Sequence, residues 1–127
     1  MNVSVIVCTY AEERFEDFLE AVQSLQAQTY DNIEIVLVID GNETIHEWTT
    51  KRFDGKDNIV IHCNDKNHGI SASRTRGVEI ASGDVVAFID DDAIANEDWV
   101  ETLVKAYQEH DAIAVGGQMV GEWIGDR

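Results

Sequence analysis

Three consecutive aspartates, Asp90, Asp91 and Asp92, directly follow the apolar run VVAFI (85–89). Carboxylate oxygens are the ligands that hard cations such as Mg²⁺ and Mn²⁺ prefer, often one or two of them beside substrate phosphates. On an extended backbone Asp90 and Asp92 point to one side and Asp91 to the other. Chance alone supplies such pairs in an aspartate-rich chain, and a solvated loop that caps the next helix is the alternative. The triplet therefore predicts a cation site only in combination with its place in the fold.

Other side chains are suited to binding a nucleotide. Tyr10 follows an apolar run, where it either stacks on a base or lies at the edge of the core. Asp40 precedes the turn signal Gly41–Asn42, so it either binds a ligand or forms an Asx turn. Arg74 and Arg76 point in different directions if they lie on one helix, so only one is expected to reach a ligand. That arginine would balance a diphosphate, and the alternative is an ion pair with surface acids.

Several common catalytic and nucleotide-binding motifs are missing from the sequence. It contains no GxxxxGK(S/T) phosphate loop, no GxGxxG after the first strand and no GxSxG nucleophile elbow. The four histidines are scattered, without the spacing of metal ligands, and the two cysteines form no CxxC pair. These absences argue against an NTPase, a dinucleotide-dependent dehydrogenase, a serine hydrolase of that type and a zinc site.

Alternating apolar patterns predict the elements that must position these residues. β-Branched and apolar runs predict strands, and apolar residues at helical spacing predict helices between them. The resulting β-α alternation indicates an α/β fold with a mainly parallel sheet and helices on both faces. The predicted strands are 3–9, 33–39, 58–63, 84–89 and 112–117, and the predicted helices are 12–28, 43–53, 70–82 and 96–110.

The expected strand order 3-2-1-4, with a further strand, determines where a ligand binds. Right-handed crossovers then place a crevice between the carboxyl ends of strands 1 and 4. Three loops converge there, namely 9–12, 40–42 and 90–92. In the same order strands 1 and 3 lie about 10 Å apart. Cys8 and Cys63 are therefore expected to be free thiols rather than a disulfide.

The charge of the chain excludes some partners. Among 127 residues, 25 are acidic and only 9 are basic, which gives a formal net charge of -16. Such a surface repels nucleic acids and anionic membranes. An acid-rich and lysine-poor composition favours a halophilic protein, with an ordinary acidic protein as the alternative. No apolar run is long enough for a membrane span and no signal peptide is visible, so a cytoplasmic location is expected, with membrane association only through a region beyond this chain.

Four segments, in this order, resemble the inverting GT-A glycosyltransferases of family 2. They are VSVIVCTYAEE, SLQAQTYDNIEIVLVIDGNET, NHGISASRTRGVEIASGDVVAFIDDD and EDWVE, and the resemblance covers roughly residues 3–117. Members transfer a sugar from a nucleotide diphosphate donor, usually with Mg²⁺ or Mn²⁺. The resemblance therefore implies a three-layer α/β/α, Rossmann-like GT-A fold, one of these cations as cofactor, and a nucleotide diphosphate sugar, with UDP-sugars favoured, as a partner.

The resemblance also implies roles for individual residues. Thr9 and Tyr10 match the motif that packs against the base, and Asp40 matches the aspartate that hydrogen-bonds it. Asp92 matches the metal ligand, and Trp99 a structural position. The remaining residues of the implied nucleotide-sugar site are Glu12 in the loop after strand 1, Arg74 near the donor, and Asp90 and Asp91 toward its ribose and sugar; Gly116 and Gly117 resemble the start of the acceptor side.

The sequence departs from the family pattern at a few positions. Ala11 replaces an asparagine, Ile39 replaces the first aspartate of the strand-2 pair, and Thr75 replaces another asparagine. In the family the catalytic base is an acidic residue well beyond the acidic triplet, and no residue after Asp92 matches it. We therefore expect residues 1–127 to be a single nucleotide-sugar-binding domain that ends before the acceptor-binding half, with the catalytic base beyond the chain.

Three hypotheses follow. The first is the donor-binding region of a glycosyltransferase with a saccharide, lipid-linked or protein acceptor. The region is expected to be inactive alone, and to form a homodimer if a sheet edge is exposed. The second is a non-catalytic module that binds a nucleotide sugar or a partner. The third is a generic doubly wound domain whose acidic loop is only solvated, which predicts no cation-dependent ligand binding.

Overall fold

The structure, a computed structural model, describes residues 1–109. The predicted strand at 112–117, with Gly116 and Gly117, lies outside the described residues. In chain order the strands are β1 (Val3–Thr9), β2 (Ile33–Ile39), β3 (Ile59–Cys63) and β4 (Val85–Phe88), and the helices are α1 (Phe15–Gln26), α2 (Glu43–Phe53), α3 (Ile70–Ile80) and α4 (Trp99–Glu109). A short 3₁₀ turn, Glu12–Arg14, precedes α1.

The four described strands form one parallel sheet in the order β3-β2-β1-β4, which confirms the predicted order. Val3 is in register with Ile33 of β2 and with Val85 of β4, so the central strand β1 is paired along both edges. Parallel strands end at the same edge of a sheet. The segments that follow β1, β2 and β4 therefore lie together at one edge, as the sequence predicted.

Helices cover both faces of the sheet. Alternate β1 residues Val3, Val5 and Val7 face a large core to which α1, α2 and α4 contribute. The intervening Ile6 faces a smaller core against α3. The sheet is thus the middle of three layers, and its near-continuous apolar strands are explained by burial on both faces.

Gly77 allows α3 to lie close to the sheet. A Cβ atom at this position would be 2.6 Å from Cγ2 of the buried Ile6. A larger residue would therefore push the helix away from β1 or distort Ile6. Because α3 carries Arg74, this close packing also affects the position of the arginine relative to the end of β1.

Several predicted helix boundaries were wrong. The segment 12–28 begins with the 3₁₀ turn, and its α-helix ends at Gln26. Helix α3 ends at Ile80 rather than at residue 82. Helix α4 begins at Trp99 rather than at residue 96, and the segment just after α1 holds the preceding turn. Gln28 Nε2 donates to the carbonyl of Asn96 at 2.7 Å, while Gln28 Oε1 accepts from the amide of Val100 at 2.9 Å. A residue distant in sequence thus caps α4.

Candidate nucleotide-sugar site

A cleft of about 610 Å³ lies at the carboxyl ends of β1 and β4. It is the place predicted for a ligand in a sheet of this order. Its floor comes from β1 and β4, and one wall comes from α3 and the loop before it. The lining residues are Ile6, Cys8, Thr9, Tyr10, Arg14, Asp40, Asn67, Gly69, Ile70, Ser73, Arg74, Phe88, Ile89, Asp90, Asp91 and Asp92.

The three adjacent aspartates lie in different environments. Asp91 is only 6% exposed, and its carboxylate accepts hydrogen bonds from Thr9 Oγ1 at 2.8 Å and from Arg14 Nη1 at 3.0 Å. Asp90 is half-buried, and Asp92 is exposed. The predicted alternation required an extended backbone, and that condition is not met. Residues 91–92 form a turn, closed by a hydrogen bond from the amide of Ala93 to the carbonyl of Asp90 at 3.1 Å. The hydrogen bonds of Asp91 connect the acidic loop to the end of β1 and to the 3₁₀ turn.

Asp90 and Asp92 are the carboxylates available to a cation. No hydrogen bond or ion pair to Asp92 occurs among residues 1–109, and Asp90 is paired only with Arg74 there, at 3.6 Å. The same residues contain no cluster of three histidine, cysteine or acidic side chains arranged to hold a metal. One or two carboxylates at an open cleft fit a hard cation that takes its other ligands from a diphosphate and water.

Of the two arginines of α3, Arg74 reaches the cleft and Arg76 does not. The guanidinium of Arg74 lies over the ring of Phe88, 5.6 Å from its centroid, and faces Asp90. Arg76 instead pairs with Glu79 at 3.0 Å on the outer surface of α3. The predicted divergence of the two side chains is therefore confirmed, and Arg74 is placed where it could meet an anionic ligand.

The apolar part of the cleft is formed by exposed side chains. Tyr10 is 56% exposed and Ile70 is 55% exposed, both large values for residues of this kind. Cys8 lies deeper, and burial raises the pKa of its thiol to about 12, although the nearby Arg74 opposes this effect. Cys8 and Cys63 are both free, as expected. The Cys8 thiol is thus a neutral, weakly polar part of the floor at neutral pH.

Asp40 lies at the edge of the cleft, but its carboxylate is occupied. Its two oxygens accept hydrogen bonds from the Asn64 side chain and from the amides of His68 and Gly69. Burial alone would raise the pKa of Asp40, but these hydrogen bonds outweigh it and lower the pKa. The carboxylate is therefore ionised at neutral pH.

Glu12 does not line the cleft. It begins the 3₁₀ turn and borders a second depression, between α1 and α2, together with Phe15 and Trp48. The structure therefore brings together the predicted residues Thr9, Tyr10, Asp40, Arg74 and Asp90–Asp92, and it leaves Glu12 apart from them.

Some cleft residues were not predicted. Arg14 is one of few basic residues and closely follows β1, which was a usable signal. The turn-rich stretch NDKNHG (64–69) follows β3, whose carboxyl end neighbours that of β2, so it was a fourth candidate loop. Ile70 and Phe88 gave no signal, because an apolar residue at the end of an element is ordinary.

Comparison with known proteins gives one family. Residues 4–126 match the family model of glycosyl transferase family 2. A glucosyl-dolichyl phosphate glucuronosyltransferase of Haloferax volcanii is 54% identical over 125 residues, which are 98% of this chain and 40% of that protein. The glycosyltransferase GlyA of Streptococcus pneumoniae is 38% identical over 116 residues, covering 91% of this chain and 16% of that protein.

Solved structures give the same fold. Crystal structures of S. aureus TarS 1–349 superpose with a TM-score of 0.75 at 26% identity, and cover 87% of this chain. Two of these structures contain UDP or UDP-GlcNAc. The chain spans 33% of the TarS chain in the first of these structures and 40% of the Haloferax relative. No helix among the described residues is long and apolar enough to cross a membrane.

Proposed function

The chain belongs to glycosyl transferase family 2, and from this premise we propose that it is the nucleotide-sugar-binding region of a metal-assisted, inverting glycosyltransferase. One observation carries the proposal. A single cleft contains an exposed aromatic ring (Tyr10), a cation (Arg74) and two accessible carboxylates (Asp90 and Asp92). In a nucleotide diphosphate sugar, the aromatic ring suits the base and the arginine suits the diphosphate. The two carboxylates suit the sugar hydroxyls and a metal cation.

Each residue then has a task in the transfer. Tyr10 stacks on the base, and Arg74 holds the negative charge of the diphosphate as it leaves. Asp90 accepts hydrogen bonds from donor hydroxyls, and Asp92, with Asp90 beside it, would hold Mg²⁺ or Mn²⁺. The cation, when bound, neutralises charge on the leaving diphosphate. In the proposed transfer the acceptor hydroxyl gives its proton to a general base and its oxygen bonds to the anomeric carbon. The bond from that carbon to the diphosphate breaks on the opposite side, which inverts the configuration.

The donor we favour is a UDP-sugar with a glucuronosyl group. Structural neighbours were solved with UDP and UDP-GlcNAc, which supports uridine as the nucleoside. The Haloferax relative is named a glucuronosyltransferase, and its similarity to this chain includes the whole cleft. The name of this relative also includes glucosyl-dolichyl phosphate, so we propose a lipid-linked sugar as the acceptor.

Calorimetry and thermal unfolding test the proposal. We expect UDP-glucuronic acid to bind and to raise the melting temperature in the presence of Mn²⁺ at high salt. GDP- and dTDP-sugars, and UDP-glucose, are expected to bind more weakly. If no nucleotide sugar binds with or without Mn²⁺, the proposal is wrong.

Asp92→Asn tests the metal ligand separately. We expect it to remove the dependence of binding on Mn²⁺ without lowering the melting temperature, because Asp92 is exposed. Asp57→Asn is the matched control, since it removes the same charge from an exposed site outside the cleft. Unchanged Mn²⁺ dependence in Asp92→Asn would exclude the metal role of Asp92.

A further inference from the structure

The carboxylate of Asp40 is directed into the protein's own loop. Oδ1 accepts from Asn64 Nδ2 at 2.8 Å and from the amide of His68 at 2.9 Å, and Oδ2 accepts from the amide of Gly69 at 2.8 Å. The residue is only 5% exposed. A buried carboxylate is tolerated when donors satisfy it, and three of its roughly four acceptor positions are used here.

The loop formed by residues 64–69 (the 64–69 loop) rests on the turn that follows β2. The amide of Asn64 donates to the carbonyl of Ile39 at 2.8 Å, and Asn67 Nδ2 donates to the carbonyl of Asp40 at 3.4 Å. Gly41 has a φ of +76°, and a Cβ atom there would lie 2.4 Å from the amide nitrogen of Asn67. The 64–69 loop therefore contacts the turn through backbone as well as side chains.

The 64–69 loop leads directly into α3, which carries one wall of the cleft. Gly69 precedes the first residue of α3, and Ser73 and Arg74 lie one turn further on. Asn64 Nδ2 also donates to Ser73 Oγ at 3.1 Å, so the same amide group contacts both Asp40 and α3. Asn64 itself does not line the cleft. Movement of the loop would therefore shift Arg74 away from Asp90 and Phe88.

We propose that Asp40 and Asn64 are positioning residues for nucleotide binding, which hold the 64–69 loop so that α3 presents Arg74 to the diphosphate. This positioning role is separate from the contact with the base that the family resemblance implies for Asp40. The inference rests on the proposed function, because it assigns the cleft a nucleotide diphosphate.

Base selectivity distinguishes positioning from base contact. We expect Asn64→Ala to weaken UDP, GDP and dTDP in the presence of Mn²⁺ by a similar factor, about tenfold, because it loses the hydrogen bond to the charged Asp40 carboxylate. The order of the three affinities should stay unchanged in this variant, because Asn64 does not line the cleft. Asp40→Asn should weaken all three nucleotides at least as much. Asn58→Ala is the control, since Asn58 is an exposed asparagine just before β3 and away from the cleft.

Two calorimetric results would overturn the inference. A changed order of the three affinities in Asn64→Ala would show that the 64–69 loop acts on the base rather than through Arg74. Unchanged affinities in both variants would show that the loop contacts are structural only. The Asn64→Ala variant keeps the test decisive if Asp40→Asn fails to fold.

Hydrogen exchange provides a readout that needs no nucleotide. In the unliganded wild-type chain we expect the amides of His68 and Gly69 to be protected, and to exchange at least about tenfold faster in Asp40→Asn. Fast exchange of both amides in the wild type would overturn the anchoring itself. If the wild type binds none of the nucleotides, the proposed function is wrong and the positioning role is lost with it, while the exchange result still decides whether Asp40 anchors the loop.

Discussion

Aspartates of the same loop have different roles in the cleft. Asp91 is buried and bonded to Thr9 and Arg14, whereas Asp92 on the same loop is exposed. The two donors occupy one position on each oxygen of the buried Asp91 carboxylate, whereas the exposed Asp92 keeps both oxygens available. The hydrogen bonds of Asp91 also contribute to the pKa of Arg14, which they raise. We therefore regard Asp91 chiefly as the residue that fixes the acidic loop.

Two buried threonines allow a direct test of this view. Thr9 is 2% exposed and donates to Asp91, whereas the buried hydroxyl of Thr49 has no hydrogen-bond partner among residues 1–109. Thr9→Val should lower the free energy of unfolding by about 1–3 kcal/mol, because a buried carboxylate oxygen loses its donor. Thr49→Val should be neutral or stabilising, because it buries a methyl group in place of an unsatisfied hydroxyl.

Urea unfolding of the two threonine variants gives the comparison. Both substitutions conserve side-chain volume, so a difference between them reports the hydrogen bond rather than a cavity. Equal losses in Thr9→Val and Thr49→Val would contradict the anchoring role of Asp91.

The two arginines of α3 provide a second matched pair. Arg74→Met should weaken UDP binding about tenfold or more, because a charged hydrogen bond to a phosphate is worth about 1.5–3 kcal/mol. Arg76→Met removes only an exposed ion pair with Glu79 and should leave affinity unchanged. Calorimetry with UDP measures both, and comparable losses in the two variants would show that general positive charge, not Arg74, attracts the ligand.

The sequence predicted which residues meet in the cleft better than what each of them contacts. The strand order was enough to predict that the loops after β1, β2 and β4 meet at one cleft. The different environments of the three aspartates did not follow from an extended backbone, because residues 91–92 form a turn. The hydrogen bonds of Asp40 could not be predicted in this way, because they come from the 64–69 loop, more than twenty positions along the chain. A contact of this kind depends on how the loop lies on the β2 turn, and no local pattern records that.

Among the elements, the sheet was predictable and the helix ends were not. The apolar runs of β1 and β2 are continuous because both faces are buried, and a parallel β-α alternation leaves few strand orders. The start of α4 depends instead on Gln28, which lies just after α1 and caps α4. Residues 96–98 are all polar, so the apolar pattern could not fix where the helix begins, and the predicted boundary was too early.

The carboxylate of Glu34 connects neighbouring strands at the end of the sheet away from the cleft. Glu34 of β2 accepts hydrogen bonds from Ser4 Oγ at 2.7 Å, from the amide of Ser82 at 2.9 Å and from Ser82 Oγ at 3.0 Å. It thereby connects β2 with β1 and with the turn before β4. Burial raises the pKa of Glu34, but the hydrogen bonds from Ser82 and Ser4 outweigh this effect and lower it.

The sign of the pKa shift predicts how stability depends on pH. A carboxyl group with a lowered pKa in the folded state stabilises the fold above its unfolded pKa, about 4.3 for glutamate. This stabilisation is lost as the pH falls through the folded pKa. Glu34→Gln should therefore cost about 1 kcal/mol at neutral pH, and the difference from wild type should shrink toward zero below about pH 4.

Urea unfolding across this pH range measures the effect. Glu20→Gln is the control, because Glu20 is exposed on α1 and has no hydrogen bond or ion pair within the described part of the chain. A difference between Glu34→Gln and wild type that stays constant with pH would contradict the ionised role of Glu34.

For the whole molecule, the dominant property is charge. The net charge of -16 is spread over a chain of 127 residues, so the acids repel one another at ordinary ionic strength. The ion pairs seen on the surface, such as Lys51 with Glu47, involve exposed groups and are worth little. Few acids can be compensated in this way, because only 9 basic residues are present. Screening by salt is the remaining means of reducing the repulsion.

We therefore predict that salt stabilises the chain. Raising KCl from about 0.1 M to about 1 M shortens the screening length from roughly 10 Å to roughly 3 Å, which removes most repulsion between surface acids. The melting temperature should rise by about 5 °C or more, which corresponds to about 1 kcal/mol for a domain of this size. Scanning calorimetry at several KCl concentrations measures this rise.

A variant with fewer charges separates screening from other effects of salt. Glu20→Gln, Asp31→Asn and Asp57→Asn together remove three exposed negative charges that line no part of the cleft. Because this variant repels itself less, its melting temperature should be higher than that of the wild type at low KCl and should rise less with added salt. If both proteins gain equally, or if neither gains, self-repulsion does not limit the stability of this fold, and the acidic composition then needs a different explanation from adaptation to high salt.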